Sequence, residues 1–353
     1  MTKSTVATAT LLDSARKHVD AAFHGFIGNE EAVYTLKRSL IVALGSAAGG
    51  APVMSKTFLF SGAASVGKTE LARRVTAVLG LPFVRLDGRG VRSRERLFEM
   101  IDDALQAHEP PLQPVTAGSR SGVPLIEYPP FVVFIDEIHL VSERAQEGFL
   151  TMLEADDRTM LLDGERGRRI AVVGQATFIF ATTKPADLDK AFRSRCIEVQ
   201  LRGYTEAEVQ RMILDRFPAL PADAALTIAA CSRLRPRVAF AMAIEVMDEI
   251  FVNGPNDLRG CLKRVLNGRG ILTTGGMTRD DVRYLQLLQR EGRPLGERVI
   301  RSQLHEVDPQ RIADDIEPYL VTMGYLSFSD KGRQLTYAGR RFVQDVAPEL
   351  DVK

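Results

Sequence analysis

The segment that most constrains this chain is residues 57–79. An apolar run, TFLFS, meets GAASVGKT at 62–69, and a helical pattern, TELARRVTAVL, begins at Thr69. A glycine-rich turn between a strand and a helix suits one kind of ligand. Gly62 and Gly67 let the backbone wrap an anion, and the helix N-terminus offers unpaired N–H groups and the positive end of its dipole. The GxxxxGK[ST] spacing adds a lysine for the β- and γ-phosphates and a hydroxyl for magnesium, here Lys68 and Thr69. The expected ATP-binding residues are therefore Gly62, Ala63, Ser65, Val66, Gly67, Lys68, Thr69 and Glu70, with Mg2+ as the accompanying cofactor.

From Thr57 to Gln200 the apolar runs KTFLFSG, PFVRLDG, FVVFIDE, ATFIFATT and CIEVQL alternate with helical patterns such as SRERLFEMIDDALQAH. That alternation predicts an α/β fold with a parallel sheet covered on both faces. FVVFIDEIH ends a buried strand in two consecutive carboxylates, which need a counter-charge that a magnesium nucleotide supplies. Asp136 is expected to hold the magnesium through water, and Glu137 to orient and deprotonate the attacking water. Thr182 and Thr183 close the next strand and can hydrogen-bond that water or the γ-phosphate. In AFRSRCIEV, Arg193 and Arg195 precede the fifth strand, where an arginine reaching a neighbouring subunit's nucleotide would make hydrolysis depend on assembly.

Composition narrows the setting. With 46 Lys and Arg against 45 Asp and Glu, a nucleic-acid surface has to be a local patch. Cys196, Cys231 and Cys261 are isolated, odd in number and lack CxxC spacing, which argues against a disulfide framework and a zinc site and fits a reducing, cytoplasmic location. Neither a signal peptide nor a membrane span is expected. Residues 104–130 contain Pro110, Pro111, Pro114, Pro124, Pro129 and Pro130 and read as a long surface loop. From Tyr204 to about Gly270 only helical patterns follow, predicting an all-helical second domain. The remainder gives short helices and then the strands YLSF and RQLTYA around SDKG, the pattern of a winged helix.

FIGNEEAV, GAASVGKT, FIDEIH, FATT, FRSRC, GYTEAEV, LRPRVAF, EPYLVTMGYL and DKGRQLT together resemble the RuvB family of AAA+ ATPases, over about residues 24–345. The resemblance implies a P-loop AAA+ parallel-sheet domain, an all-helical lid domain and a C-terminal winged helix. The boundaries are an N-terminal extension at 1–24, then 25–202, 203–272 and 275–347. It also implies that Thr183 belongs to sensor 1, that Arg195 is the arginine finger and that Arg237 is the sensor 2 arginine. Ile27, Gly28 and Tyr204 would line the adenine pocket. The expected assembly is a homo-oligomer, a hexameric ring acting on duplex or branched DNA as a helicase-type translocase in DNA recombination and repair. The hairpin-like segment LLDGERGRRIAVV falls where the family docks its partner RuvA, with Arg166, Arg168 and Arg169 at its tip. Lys331 and Arg333, flanking Gly332, are the expected DNA contacts of the wing. The family's RPxxL-type lead-in is absent and the proline-rich segment is longer, so the chain reads as a divergent paralogue.

Two functions are compatible with these features. One is a Holliday-junction branch-migration motor; the other is an AAA+ ATPase that remodels or loads a protein client through its winged helix. Residues 275–353 hold 12 basic and 13 acidic side chains, so that domain as a whole is not basic. The loop after the second strand, GRGVRSRE, carries Arg89, Arg92 and Arg94 but no aromatic residue of the kind protein-threading rings use, which favours phosphate contact over peptide gripping. A nucleotide switch that scarcely hydrolyses is opposed by Glu137 together with Arg195.

Overall fold

A computed structural model describes residues 3–48, 56–154, 158–164, 167–273 and 275–345. It comprises two compact units, Met1–Gly203 and Tyr204–Lys353. In chain order the first unit contains strands β1 (Thr57–Ser61), β2 (Phe83–Asp87), β3 (Val115–Arg120), β4 (Val123–Glu127), β5 (Val132–Asp136), β6 (Thr159–Gly164), β7 (Gly167–Val172), β8 (Thr177–Thr182) and β9 (Ile197–Gln200). Its helices are α1 (Lys3–Ala22), α2 (Glu30–Ala48), α3 (Lys68–Leu79), α4 (Arg94–Gln106), α5 (Glu143–Met152) and α6 (Lys190–Ser194).

The five expected strands form one parallel sheet in the order β2-β5-β8-β1-β9. Alternation along each strand divides the core in two. Leu59, Val133, Ile135, Phe178 and Phe180 face the side covered by α4 and α5, with Leu97, Phe98, Ile101 and Phe149. Phe58, Phe60, Val132, Phe134, Ile179 and Ala181 face α1, α2 and α3, with Leu36, Leu71 and Val75. Each fully buried side chain of this size contributes on the order of 2 kcal/mol by leaving water. The N-terminal segment joins this core, because Val19 and Phe23 of α1 and its C-terminal turn are buried in it.

The proline-rich segment differs from the expected surface loop. Residues 115–127 form the β3–β4 hairpin, and β4 continues into a second sheet of order β3-β4-β7-β6. Prolines 110, 111, 114, 129 and 130 flank the strands rather than interrupting them, and Pro124 precedes the β4 residues that register with β7. The turn residues Ser121 and Gly122 both have positive φ (52° and 78°), which suits a tight two-residue connection. The segment read as a hairpin at 161–173 is the β6–β7 pair; Arg166 lies outside the described residues.

The second unit contains helices α7 (Glu206–Arg216), α8 (Ala222–Cys231), α9 (Pro236–Asn253), α10 (Leu258–Gly268), α11 (Arg279–Glu291), α12 (Glu297–Gln303), α13 (Pro309–Arg311), α14 (Glu317–Thr322) and α15 (Tyr337–Asp345), with hairpin strands β10 (Leu326–Ser329) and β11 (Gly332–Leu335). A π turn at Ile312–Ile316 joins α13 to α14. Two apolar clusters lie within it. One gathers Val209, Ile213, Ile228, Met242 and Val246 from α7–α9; the other gathers Val282, Leu285, Ile300, Ile316, Leu320 and Leu326 from α11 through β10. Thr205 and Thr278 each begin a helix with a reciprocal capping box, to Glu208 and Asp281. Among the described residues no helix is long and apolar enough to cross a membrane.

Candidate nucleotide site and winged helix

The phosphate loop leaves the C-terminal end of β1 and enters α3. β1 lies between β8 and β9, both later in the chain, so the loop opens at a reversal of strand order, where open α/β sheets hold ligands. Glycine is required at its start: Gly62 has φ 147°, and a Cβ there would lie 2.5 Å from the carbonyl oxygen of Leu201. Gly67, with φ 97°, lets the chain turn into the first residue of α3. Val66 is buried in the core beneath β1, so its side chain is committed to packing and what it offers an anion is backbone. Glu70 is turned to solvent and pairs with Arg74 at 3.0 Å.

Lys68 is buried, its Nζ donating to Gly62 O at 2.8 Å and Ala63 O at 2.9 Å, so the ammonium lies inside the curl of the loop. Burial lowers its pKa, opposed by the carboxylates of Glu137 and Asp136. Asp136 ends β5 level with Asp87 of β2. Burial raises its pKa, with Glu137 adding to the effect and Lys68 and Arg85 opposing it. The Arg85 guanidinium stands 3.7 Å from Asp136 Oδ2. A hydroxyl at Thr69 and the carboxylate at Asp136, all hard oxygen donors beside a buried lysine, fit a magnesium nucleotide.

Glu137 leaves β5 with φ 50° and ψ 53°, a left-handed conformation uncommon for a side chain of this kind and characteristic of functional positions. Its Oε2 accepts from Thr183 Oγ1 at 3.0 Å and Thr183 N at 3.3 Å, and stands 3.2 Å from His139 Nδ1. Thus Asp136, Glu137, Thr183 and Lys68 share one end of the sheet. The sequence reading missed His139, although it stands two residues past Glu137 in FIDEIH.

Asn29 closes the opposite side of the loop. It exchanges hydrogen bonds with Arg202, from Arg202 N to Asn29 Oδ1 at 2.7 Å and from Asn29 Nδ2 to Arg202 O at 3.3 Å. Ile27 and Gly28, both half-buried, immediately precede Asn29, and Leu201, whose carbonyl borders Gly62, immediately precedes Arg202. A cavity of about 460 Å³ opens there, lined by Asn29, Glu30, Glu31, Ala32, Gln200, Leu201 and Arg202.

Phe192 of α6 packs against Phe180 and Phe149, with ring centroids 4.9 and 6.2 Å away, and so anchors the arginines that follow it. Arg193 is occupied by Glu198 through two hydrogen bonds of 2.9 and 3.0 Å. Arg195 donates to Ala191 O at 2.9 Å and to the exposed Glu154 at 3.2 Å. In the second unit, Tyr204 is buried in the α7–α9 core and Arg237 is exposed on the first turn of α9.

Comparison with known proteins bears on both units. The ATPase family associated with various cellular activities (AAA) matches residues 58–204, and the RuvB C-terminal winged helix domain matches residues 274–344. The chain is 27% identical over 320 residues to the Holliday junction branch migration complex subunit RuvB of Campylobacter jejuni (strain RM1221), covering 88% of this chain and 87% of that protein. The chain therefore carries an AAA domain followed by a RuvB-type winged helix, and it is similar to RuvB subunits along most of its length. The RuvB subunit of Mycoplasma genitalium is 26% identical over 219 residues, covering 60% of this chain and 69% of the relative. The solved structure of the Thermotoga maritima RuvB Holliday junction branch migration motor superposes with a TM-score of 0.67 at 22% identity, over 90% of this chain and 95% of that one, which establishes the shared fold. The chain is an AAA ATPase.

In the RuvB-type winged helix, the two wing residues part company. Lys331 is exposed in the β10–β11 turn. Arg333 is turned inward: its Nε donates to Glu317 Oε1 at 2.9 Å, and its Nη2 lies 3.2 Å from Glu317 Oε2 and 3.4 Å from Glu297. Glu317 is itself buried and accepts from Tyr284 at 2.7 Å. Arg333, expected to contact DNA, is thus engaged by two glutamates of its own domain. A buried carboxylate needs a counter-charge, and Arg333 supplies it. Fractional charge counts could not reveal this, because a wing arginine reads the same in sequence whether it faces phosphate or a buried glutamate.

Proposed function

We propose that the chain is a RuvB-like motor that converts ATP hydrolysis into movement along duplex or branched DNA. The observation that carries this reading is the presence, in one chain, of an assembled phosphate-loop site and a RuvB-type winged helix at residues 274–344. The solved relative of the same fold is a Holliday junction branch migration motor. Lys68 binds the β- and γ-phosphates, and Thr69 and Asp136 hold Mg2+. The bound ion neutralises charge on the phosphate oxygens. Glu137 orients and deprotonates water, and Thr183 acts as sensor 1. Ile27, Gly28 and Tyr204 receive the adenine, and Arg237 acts as sensor 2. Arg195 is the arginine finger for a neighbouring subunit, in a ring of six. Its weak tether to an exposed glutamate is consistent with release to a phosphate of higher charge. Lys331 contacts the DNA backbone. The domain division at 25–202, 203–272 and 275–347, and a cytoplasmic location, complete the reading.

One observation favours a protein partner in addition. Leu161, Ile170 and Leu125 lie level across β6, β7 and β4, with Leu161 39% exposed, and Val115 on β3 is 61% exposed. This sheet face is where a RuvA-like partner would dock, and the added β3–β4 hairpin fits a partner of the chain's own.

The test is the steady-state ATPase rate of the full chain alone, with linear duplex and with a four-way junction, at low and moderate salt. Stimulation by DNA that weakens with salt is expected. A robust rate indifferent to every DNA contradicts the motor reading and points to a protein client.

A further inference from the structure

Two hydrogen-bond donors of Thr183 meet one oxygen of Glu137, and the ring of His139 stands against the same oxygen. Thr183 contributes its hydroxyl and its backbone N–H, at 3.0 and 3.3 Å, and His139 Nδ1 stands 3.2 Å away. All of them meet Oε2, and among the described residues Oε1 has no hydrogen bond. The His139 ring is 7% exposed, and Nδ1 is also 3.0 Å from Thr182 Oγ1, a hydroxyl that already accepts from Lys184 N at 2.9 Å. With the proton on Nδ1 the ring N–H faces the carboxylate of Glu137 favourably, whereas a bare lone pair there would repel it. The backbone explains how the contact arises. The left-handed turn at Glu137 starts the short helix Ile138–Leu140, which brings residue 139 back towards the carboxylate of residue 137.

We propose that His139 is a positioning residue for hydrolysis: with Thr183 it clamps Glu137 through Oε2 and leaves Oε1 to take the proton of the attacking water. In the step it serves, the water oxygen bonds to the γ-phosphorus, the bond from that phosphorus to the β–γ bridging oxygen breaks, ADP departs with those electrons, and the water proton passes to Oε1. The inference rests on Glu137 being the base. His139 touches neither water nor nucleotide. Its effect is on the angle at which the carboxylate meets the water, and small misplacement of such a group is costly.

The test compares His139→Asn, His139→Gln and His139→Ala in the full chain. An asparagine amide nitrogen occupies nearly the place of Nδ1, whereas a glutamine nitrogen reaches towards Nε2. His139→Ala and His139→Gln are expected to lower kcat by about 10- to 100-fold, with KM, affinity for a fluorescent ATP analogue and Tm little changed. His139→Asn is expected to recover most of the rate. In a Glu137→Gln background, His139→Ala is expected to lower the residual rate no further, since the two side chains act as a unit. A wild-type kcat in His139→Ala overturns the proposal. So does an asparagine variant no better than glutamine, with nucleotide affinity and Tm lost in both, which marks a packing role. Should Glu137→Gln alone hydrolyse ATP at the wild-type rate, the reading of Glu137 fails instead, which separates the two.

Discussion

Single residues decide the chemistry of the ATP site. Lys68 sits within 2.9 Å of two loop carbonyls, and its removal takes a cation from the centre of the phosphate loop. Lys68→Ala is expected to weaken ATP binding by at least tenfold, read by a fluorescent analogue, whereas Glu137→Gln binds normally and loses about a hundredfold or more in kcat. Most of this site was legible, because the phosphate loop and the paired acids are local patterns whose spacing follows from their geometry. His139 and Arg333 were not. The role of His139 depends on the backbone turn at Glu137, and that of Arg333 on Glu317, 16 residues away and buried. Burial also pushes the Cys196 thiol from 9.0 up to about 12. A folded-state value above the unfolded one means that this contribution to stability is whole below pH 9 and is lost as pH rises towards 12. At pH 8 native Cys196 is expected to react with iodoacetamide roughly a thousandfold more slowly than in the denatured chain, in proportion to its thiolate. Equal rates would contradict its burial.

At the scale of elements, the apolar strands were readable from their runs and the helices from their periodicity and caps. The hairpin at 115–127 was not, since prolines at 110–114 and 129–130 mask a strand–turn–strand pattern whose pairing is set by distant β7. Unread too was the join between the helices of the second unit and its winged helix. Arg233, left-handed at φ 56°, places its guanidinium against Asp281 and 3.0 Å from Asp315, over the ring of Tyr319 at 3.9 Å. Asp281 is fully buried. Arg233→Ala leaves that carboxylate without its counter-charge, at a cost of about 3–5 kcal/mol, and faster hydrogen exchange at the start of α11 is expected. Unchanged exchange there would show that the pair is dispensable. The wing gives a second contrast: Arg333→Ala uncovers Glu317 and lowers the Tm of the second unit, while Lys331→Ala leaves the Tm unchanged and weakens DNA binding alike across sequences, with a shallower salt dependence.

For the whole molecule, near-equal numbers of basic and acidic residues, 46 and 45, mean that the proposed engagement of DNA rests on a few placed cations rather than a general field. The order of ATPase, helical and winged-helix parts was visible as changes in pattern along the chain; partner and DNA preference were not, since they depend on surfaces assembled from separate elements. The central claim is that hydrolysis at Glu137 drives movement on duplex DNA. Its most direct test is displacement of a labelled third strand from a linear triplex by the full chain, followed with ATP, with ADP, and in the Glu137→Gln variant. Displacement that requires ATP and is lost in Glu137→Gln, while DNA binding persists, is the predicted result. A chain that binds the duplex and hydrolyses ATP at full rate, yet never displaces the third strand, would contradict it.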